Sequence, residues 1–534
     1  MTEADAKSER EKLVSRAGVV GAGTLLSRLL GLGRDMSLAA IFSREATDAF
    51  FVAFTIPNAL RQLLGEGAIA SAVVPVLSAK LATEGDASAR LFFSKIRGVS
   101  IAALTVVTAL GMVFARPITE LFASGYHDRP EEFERTVQLT RIVFPYLFFM
   151  GTAALGMAAL NAKRRFAVAA FAPGLLNVAF LFAAFVLPVP LAAMGMDTAY
   201  ALGIGALLGG FLQVVAQWPA LRAVGFLERP RLDFRDPGVR DVLRRIAPMT
   251  FGIGVYYIDL VLSRRFLSEL GPGAQSYFSW AMRLCDFPQG IFIMALSTAS
   301  LPSLSALAAR GAYDEVAKTY AQGMRLALFV AIPASVGVVT LAEPLVVALF
   351  QRGAFDATAA QETARALVWQ GGAIWTVAAV RQLVPVFYAL GDTRTPVIVS
   401  AIDLVVFIGL ALWLRGPLGH AGISIAVGGS SAVQMILLFL GLRVRLKTLR
   451  AGEVGRSALR TFAASIVAGV GGATMARGVA RLGNTGLARA LPGALGGLVF
   501  VALFVVSALA LRSAELSSLL SAVRRRMKPH EIRP

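Results

Sequence analysis

Cysteine is nearly absent. The 534 residues contain one, Cys285, which excludes a disulfide framework and any zinc site built on cysteine thiolates. Three widely separated histidines, His127, His420 and His530, argue against an imidazole-ligated metal centre, so no metal site is expected. Charge is scarce as well: Asp, Glu, Lys and Arg make up 16% of the chain, where a soluble protein carries roughly a quarter. That shortage rules out a disordered chain and an ordinary cytosolic protein. Acidic residues are the scarcer sign, 33 against 52 Lys and Arg, for a formal net charge of +19. A basic nucleic-acid binder does not also carry repeated uncharged stretches of membrane-spanning length, so no nucleic-acid partner is expected. Missing too are a Walker-type phosphate loop, a redox motif and a nucleophile–base constellation, so the chain is expected to be neither an ATPase nor another enzyme and to hold no cofactor.

Hydrophobic residues make up 56% of the chain, gathered in runs. A bilayer core takes about 20 apolar residues as helix, because every backbone amide must be satisfied within the segment. Residues 98–115, 142–162, 166–196, 198–221, 287–309, 326–342, 416–442 and 490–511 carry no charge. Segments near 13–33, 47–78, 246–268, 361–388, 396–414 and 461–480 carry one or a few. These predict an all-α polytopic membrane protein of about fourteen transmembrane helices. Ten-residue alternation is absent, which argues against a membrane barrel. The polar start, followed by a segment containing Arg28, does not read as a cleaved signal peptide. Lys and Arg cluster after every second span, as in 80–97, 163–165, 222–245, 310–325 and 443–460, whereas 187–199 has none and 116–135 is net acidic. The positive-inside rule then places both termini in the cytoplasm and makes most of the net charge a topology signal.

Three short strings recur in order. Ala72-Val-Val-Pro75-Val-Leu-Ser78 is echoed by Ala299-Ser-Leu-Pro302-Ser-Leu-Ser305. Leu121-Phe-Ala-Ser-Gly125 is echoed by Leu349-Phe-Gln-Arg-Gly353, and Leu160-Asn-Ala-Lys-Arg164 by Leu390-Gly-Asp-Thr-Arg394. The nearly constant offset predicts two six-helix lobes in parallel repeat around a central cavity, plus two C-terminal helices. The expected division is a tail at 1–12, lobes at 13–222 and 246–443, and a basic cytoplasmic linker at 223–245. Spans 13 and 14 (457–512) and a basic tail at 513–534 complete it.

Ionisable residues inside spans cost at least about 2.5–3.5 kcal/mol each and mark function by default. Span 1 carries Ser27 and Arg28, then Arg34 and Asp35. Span 2 carries Asp48, and then Asn58, Gln62 and Glu66 four apart with Arg61 alongside, interrupted by Pro57, Gly65 and Gly67. Arg283 and Asp286 precede Pro288 in span 8. Arginine exceeds carboxylate here, which suits an anionic guest, since guanidinium offers planar, permanently charged, bidentate donors. The alternative is that each Arg is neutralised internally or snorkels to the surface. Asp259 and Asp403 are candidate cation sites, for Na+ or H+ coupling, or partners of Arg264, Arg265 or Arg381.

The strings Thr24-Leu-Leu-Ser27-Arg28-Leu-Leu-Gly31-Leu-Gly-Arg34-Asp35, Thr47-Asp48-Ala-Phe-Phe, Ile56-Pro57-Asn58-Ala-Leu-Arg61 and Gly65-Glu66-Gly67 resemble the MurJ (MviN) lipid II flippases of the MOP exporter superfamily. The likeness returns at Arg283-Leu-Cys-Asp286-Phe-Pro288 and at Gly391-Asp392-Thr393-Arg394-Thr395-Pro396. It covers essentially the whole chain, with spans 13 and 14 matching in character only. The resemblance implies a bacterial inner-membrane flippase for the undecaprenyl-diphosphate-linked peptidoglycan precursor, lipid II, working by alternating access. It implies that Arg28, Arg34, Arg61 and Arg283 engage the diphosphate and headgroup and that Asp48, Asn58 and Glu66 belong to the functional cavity. Spans 13 and 14 would hold the lipid tail. Membrane lipids and cell-wall synthesis proteins are the other partners it suggests. Gln62 departs from the second basic residue of many members, and Tyr257-Ile258-Asp259 from the Asn and Asp of a sodium site. A MATE-like multidrug exporter or a flippase for another prenyl-diphosphate-linked glycan is the rival of the same architecture. A polyprenyl-phosphate glycosyltransferase and a non-transporting scaffold fit the residues less well.

Overall fold

The structure, a computed structural model, describes residues 23, 26–61, 69–252, 254–446, 448–481 and 486–527. Among the described residues the chain is helical, with turns and no strand, the all-α class that the apolar runs predict. Two compact units divide it, Met1–Gln275 and Ser276–Pro534.

The first unit holds α1 (26–41), α2 (Arg44–Arg61), α3 (Ile69–Thr83), α4 (Gly85–Val113) and α5 (Ala115–Phe122). There follow α6 (Pro130–Val143), α7 (Tyr146–Ala162), α8 (Phe166–Val186), α9 (Pro188–Ala193), α10 (Tyr200–Ala223), α11 (Pro237–Gly252) and α12 (Gly254–Ser268). Hydrophobic burial does not drive helices together inside lipid, so small residues that permit close approach decide the contacts. Gly209 of α10 shows this: a Cβ there would lie 2.9 Å from the Cα of Leu176 on α8.

Residues expected to form a plain linker at 223–245 instead include a strap laid across α4. The Arg231 N–H donates to the Ser94 carbonyl (3.0 Å), and Lys95 bridges Asp233 and Asp236 at 2.8 and 2.9 Å. A Cβ on Gly98 would stand 2.2 Å from the Arg231 carbonyl oxygen, so the strap needs glycine there. Next, α11 packs on α3 and α4, while α12 packs on α5 and the 3-10 turn at Ser124–Asp128. The lobe boundary expected at 246 thus falls within α11, and the compact division comes after α12.

Nearly all of α13 (Ala274–Pro288) lies in the second unit, and it passes through a π turn, Gln289–Ile293, into α14 (Met294–Ala309). Then come α15 (Tyr313–Thr340), α16 (Ala342–Phe350), α17 (Ala357–Gly372), α18 (Ile374–Ala389), α19 (Arg394–Leu418) and α20 (His420–Arg445). Last are α21 (Ala451–Ala480), α22 (Leu491–Ala510) and α23 (Ala514–Met527). Glycines again set the approach. A Cβ on Gly422 of α20 would lie 2.3 Å from the Leu414 carbonyl oxygen of α19, and one on Gly472 of α21 would lie 2.8 Å from the Gly496 carbonyl oxygen of α22.

Nine stretches among the described residues are helical, long and apolar enough to cross a membrane: 85–113, 130–162, 200–223, 313–340, 357–389, 394–418, 420–445, 451–480 and 488–510. Several expected spans have other bounds. Residues 116–135, expected as an acidic loop, contain α5, the 3-10 turn and the start of α6. Several charges there are matched: Glu132 is buried and accepts from Arg129, Glu134 pairs with Arg116, and Arg135 pairs with Asp197. Pro130 opens the helix and Glu131 and Glu132 occupy its first turn, where the backbone favours both. The run 166–196 is not one span, because Pro188 and Pro190 start the short α9. The expected span 47–78 corresponds to α2 and α3, on either side of residues 62–68, which lie outside the described residues.

Candidate functional site

The residues singled out in the first unit sit on α1 and α2. Arg34, on α1, is held by its neighbour: Nε and Nη2 donate to Asp35 Oδ1 at 2.9 and 2.6 Å. Nη1 donates to Asn177 Oδ1 of α8 (3.1 Å), and the guanidinium lies 5.3 Å from the centre of the Phe180 ring. Asn177 in turn donates to the Ser27 carbonyl at 2.8 Å, so Ser27, Arg34, Asp35 and Asn177 form one network joining α1 to α8. Its members are buried or half-buried. Of the two readings of Arg34, internal neutralisation describes its contacts.

Arg28 differs. It is half-buried on α1, and no carboxylate lies within ion-pair distance of it among the described residues. That leaves a permanently charged, bidentate donor on an otherwise apolar stretch, the local chemistry of an anion site. On α2, the Arg61 Nε donates to Asn58 Oδ1 at 3.1 Å, one helical turn apart, which aims the guanidinium along the helix. Asp48 is 1% exposed, and its carboxylate accepts the Gly273 N–H at 2.6 Å. It therefore fixes α2 to the turn before α13. Glu66 and Gln62 lie outside the described residues.

In the second unit, Arg283 and Asp286 are exposed on α13, and the π turn begins three residues after Asp286. π turns widen the backbone ladder locally and recur at functional sites. Asp403, half-buried on α19, meets Ser430 of α20, and one of its carboxylate oxygens is enclosed without a hydrogen-bond partner among the described residues. Asp259 is half-buried on α12, in the first unit, so the two candidate cation residues belong to separate units. No group of three or more His, Cys, Asp or Glu able to hold a metal gathers among the described residues. An apolar groove of about 320 Å3 lies along α22, lined by Phe500, Phe504, Pro333, Gly337, Leu341 and Leu345.

The Gly391–Pro396 loop has a structural task. Asp392 accepts the N–H groups of Arg394 (3.1 Å) and Thr395 (3.0 Å) and the Thr395 hydroxyl (2.7 Å), and Arg445 of α20 pairs with it at 2.8 Å. It both starts α19 and ties it to the end of α20. These contacts, led by the Thr395 N–H, hold the Asp392 carboxyl below its ordinary range.

Sequence reasoning missed Asn177. The signal was available, because it is the one side chain in 166–196 able to make strong hydrogen bonds.

Long apolar helices packed by glycines, with a guanidinium on α1 that has no carboxylate partner among the described residues and further arginines on α2 and α13, define a polytopic membrane protein of the transporter type. The model of the lipid II flippase MurJ family matches residues 38–486, and the chain belongs to that family. It is 37% identical over 432 residues to the lipid II flippase MurJ of Burkholderia cenocepacia, covering 79% of this chain and 82% of that relative. A solved structure of lipid II flippase MurJ in an inward closed conformation matches with TM-score 0.71 and 21% identity, over 92% of this chain and 99% of that one. An inward-facing multidrug resistance MATE family transporter of the MOP superfamily matches with TM-score 0.60 and 16% identity, over 80% and 96%. At those identities the solved structures speak for the fold. The family read from the sequence motifs is the family the chain belongs to.

Proposed function

We propose that the chain is a flippase that carries lipid II, the undecaprenyl-diphosphate-linked peptidoglycan precursor, from the inner to the outer leaflet of the cytoplasmic membrane for cell-wall synthesis. The family match over residues 38–486 carries this reading. The family resemblance assigns diphosphate contacts to Arg28 and Arg61, and separately to Arg283, each through bidentate, charge-assisted hydrogen bonds. Arg34 acts differently: it braces α1 against α8, so that Arg28, less than two turns away, is presented on a fixed backbone. The prenyl tail stays in apolar surroundings, and the groove along α22 has the lining for it. The headgroup is exposed in turn to each membrane face, and no bond is made or broken. Both termini lie in the cytoplasm. Coupling to Na+ or H+ uses Asp403 or Asp259, and the membrane potential supplies about 2.3 kcal/mol per charge per 100 mV.

Lipid II translocation, measured in vesicles with purified protein, tests the arginine clamp. Arg28→Ala and Arg283→Ala are each expected to lower the rate at least tenfold, with lysine restoring only part of it because it lacks the planar fork. Undiminished translocation by both alanine variants would remove the clamp. Mass spectrometry of lipid co-purified with the wild type decides the glycan: a prenyl diphosphate bearing another sugar would replace lipid II as cargo.

A further inference from the structure

A second cavity, of about 380 Å3, lies wholly within the first unit, among α4, α7, α10 and the strap. Its size falls in the roughly 300–1,000 Å3 of ligand pockets. Phe93, Phe148, Phe149 and Phe211 give it apolar walls, and the half-exposed Trp218 stands on its margin. Two features do not belong in a packing defect. Gln217 lines the cavity, is 1% exposed, and among the described residues neither its amide nitrogen nor its oxygen has a hydrogen-bond partner. An unmade bond of that kind costs about 1–3 kcal/mol, so a buried amide without partners calls for a ligand or water. The neighbouring α7 makes room for it, since a Cβ on Gly156 would lie 2.4 Å from the Gln217 oxygen.

The second feature is Arg97, which also lines the cavity. It donates to two strap carbonyls, of Phe226 at 3.2 Å and of Glu228, and no carboxylate lies within ion-pair distance of it among the described residues. Its positive charge is positioned by these carbonyl dipoles, and the Glu228 carboxylate that acts on it is shared with Arg90, which it meets at 3.7 Å. Arg231, exposed, lies on the strap that is hydrogen-bonded to Ser94 on the preceding turn of α4.

A guanidinium at one end, a hydrogen-bonding amide in the wall and aromatic sides together match an amphiphile with an anionic head, ester carbonyls and a hydrocarbon chain. We propose that this cavity binds an anionic glycerophospholipid, with its phosphate at Arg97, an ester oxygen near Gln217 and one acyl chain along the phenylalanines. Basic pockets between membrane helices suit such headgroups. The bound lipid serves as a wedge that keeps α4, α7 and α10 at their spacing, and it is distinct from the cargo.

Native mass spectrometry with dioleoyl phosphatidylglycerol and dioleoyl phosphatidylcholine as probes tests this, since the two share chains and differ in charge. Wild type is expected to keep one phosphatidylglycerol at least fivefold more strongly than phosphatidylcholine. Arg97→Gln should remove that preference, and Thr152→Trp, which fills the cavity, should abolish retention of both. Equal retention of the two lipids by wild type, or retention unchanged in Thr152→Trp, overturns the proposal. Should either variant fail to fold, a photoreactive acyl phosphatidylglycerol on the wild-type chain gives the answer. Labels on 93–101, 148–156 and 211–227 support the site, and labels confined elsewhere refute it. Displacement of the label by equimolar lipid II would make the cavity part of the cargo's path and equally overturn the proposal.

Discussion

The guanidinium of Arg34 is held on three sides, by Asp35 along the same helix, by Asn177 from α8 and by the face of Phe180. Asp35 was readable as its partner from adjacency alone, because a carboxylate next to an arginine in an apolar run is the cheapest neutraliser. Asn177 was not, because a single amide in a long apolar helix reads as any interhelical hydrogen bond until its partner is known. The network makes a definite expectation. Asn177→Leu keeps the volume but leaves the Ser27 carbonyl and the Arg34 Nη1 without that partner, and should cost about 1–3 kcal/mol. Thermal unfolding of the detergent-solubilised chain measures it, and an unchanged midpoint would show that α1 and α8 do not depend on this contact. Asp48 teaches a related lesson. A buried aspartate on a span invites a functional reading, and this one also has a structural contact, accepting the Gly273 amide N–H.

At the scale of elements, carboxylates outside the spans fasten helix ends in the second unit. Glu515 at the start of α23 accepts from Arg325 of α15 (2.7 Å), Ser457 of α21 (2.8 Å) and Ser513 (2.8 Å). Burial pushes its carboxyl upward, but the hydroxyls, its own N–H and Arg325 outweigh that and leave it below its ordinary value of 4.5. Asp392 is likewise lowered from 3.8 by Thr395, against burial, with Arg445 and the Arg394 N–H helping. A carboxyl whose folded pKa lies below its unfolded one binds protons more readily when unfolded. Its contribution is therefore complete above the unfolded value and is lost as pH falls through the folded one. Stability should be level above about pH 5 and decline below 4.5 and then 3.8. A melting series against pH checks this, and Glu515→Gln with Asp392→Asn should flatten the decline. A slope unchanged in the double variant would place it elsewhere. Neither role was legible beforehand, since both depend on which helix end comes near. By contrast, α4, α7, α10, α15 and α20 were legible because each holds a long run whose few charges sit near its ends. The start of α6 was hidden by Glu131, Glu132, Glu134 and Arg135, of which Glu134 and Arg135 find their partners, Arg116 and Asp197, far away in sequence.

Across the whole molecule the sequence echoes prove to be a repeat of packing. α4 begins at Gly85 and α15 at Tyr313, 228 residues on; α7 at Tyr146 and α18 at Ile374, again 228; α8 at Phe166 and α19 at Arg394, 228 once more. The partners correspond too: α8 packs on α10 as α19 on α20, α7 on α10 as α18 on α20, α3 on α7 as α14 on α18, and α5 on α6 as α16 on α17. The largest break in register comes at α9, with its two prolines, after which the offset falls to 220 between α10 at Tyr200 and α20 at His420. Three short strings could reveal such a repeat because each lies where packing or a turn restricts the residue, whereas lipid-facing positions between them accept any apolar side chain. A close-packing glycine in each of these helix pairs should then fail locally. Gly209→Leu drives a side chain into the Leu176 backbone of α8, and Gly422→Leu drives one into the Leu414 carbonyl of α19, each at about 2–3 kcal/mol. Amide exchange separates local from global loosening, because opening follows cooperative units. Gly209→Leu should raise exchange in 166–223 and spare 394–445, and Gly422→Leu should do the reverse. If either substitution loosened both segments alike, the paired helices would be unfolding as one cooperative body, and the repeat would describe ancestry rather than two packing units.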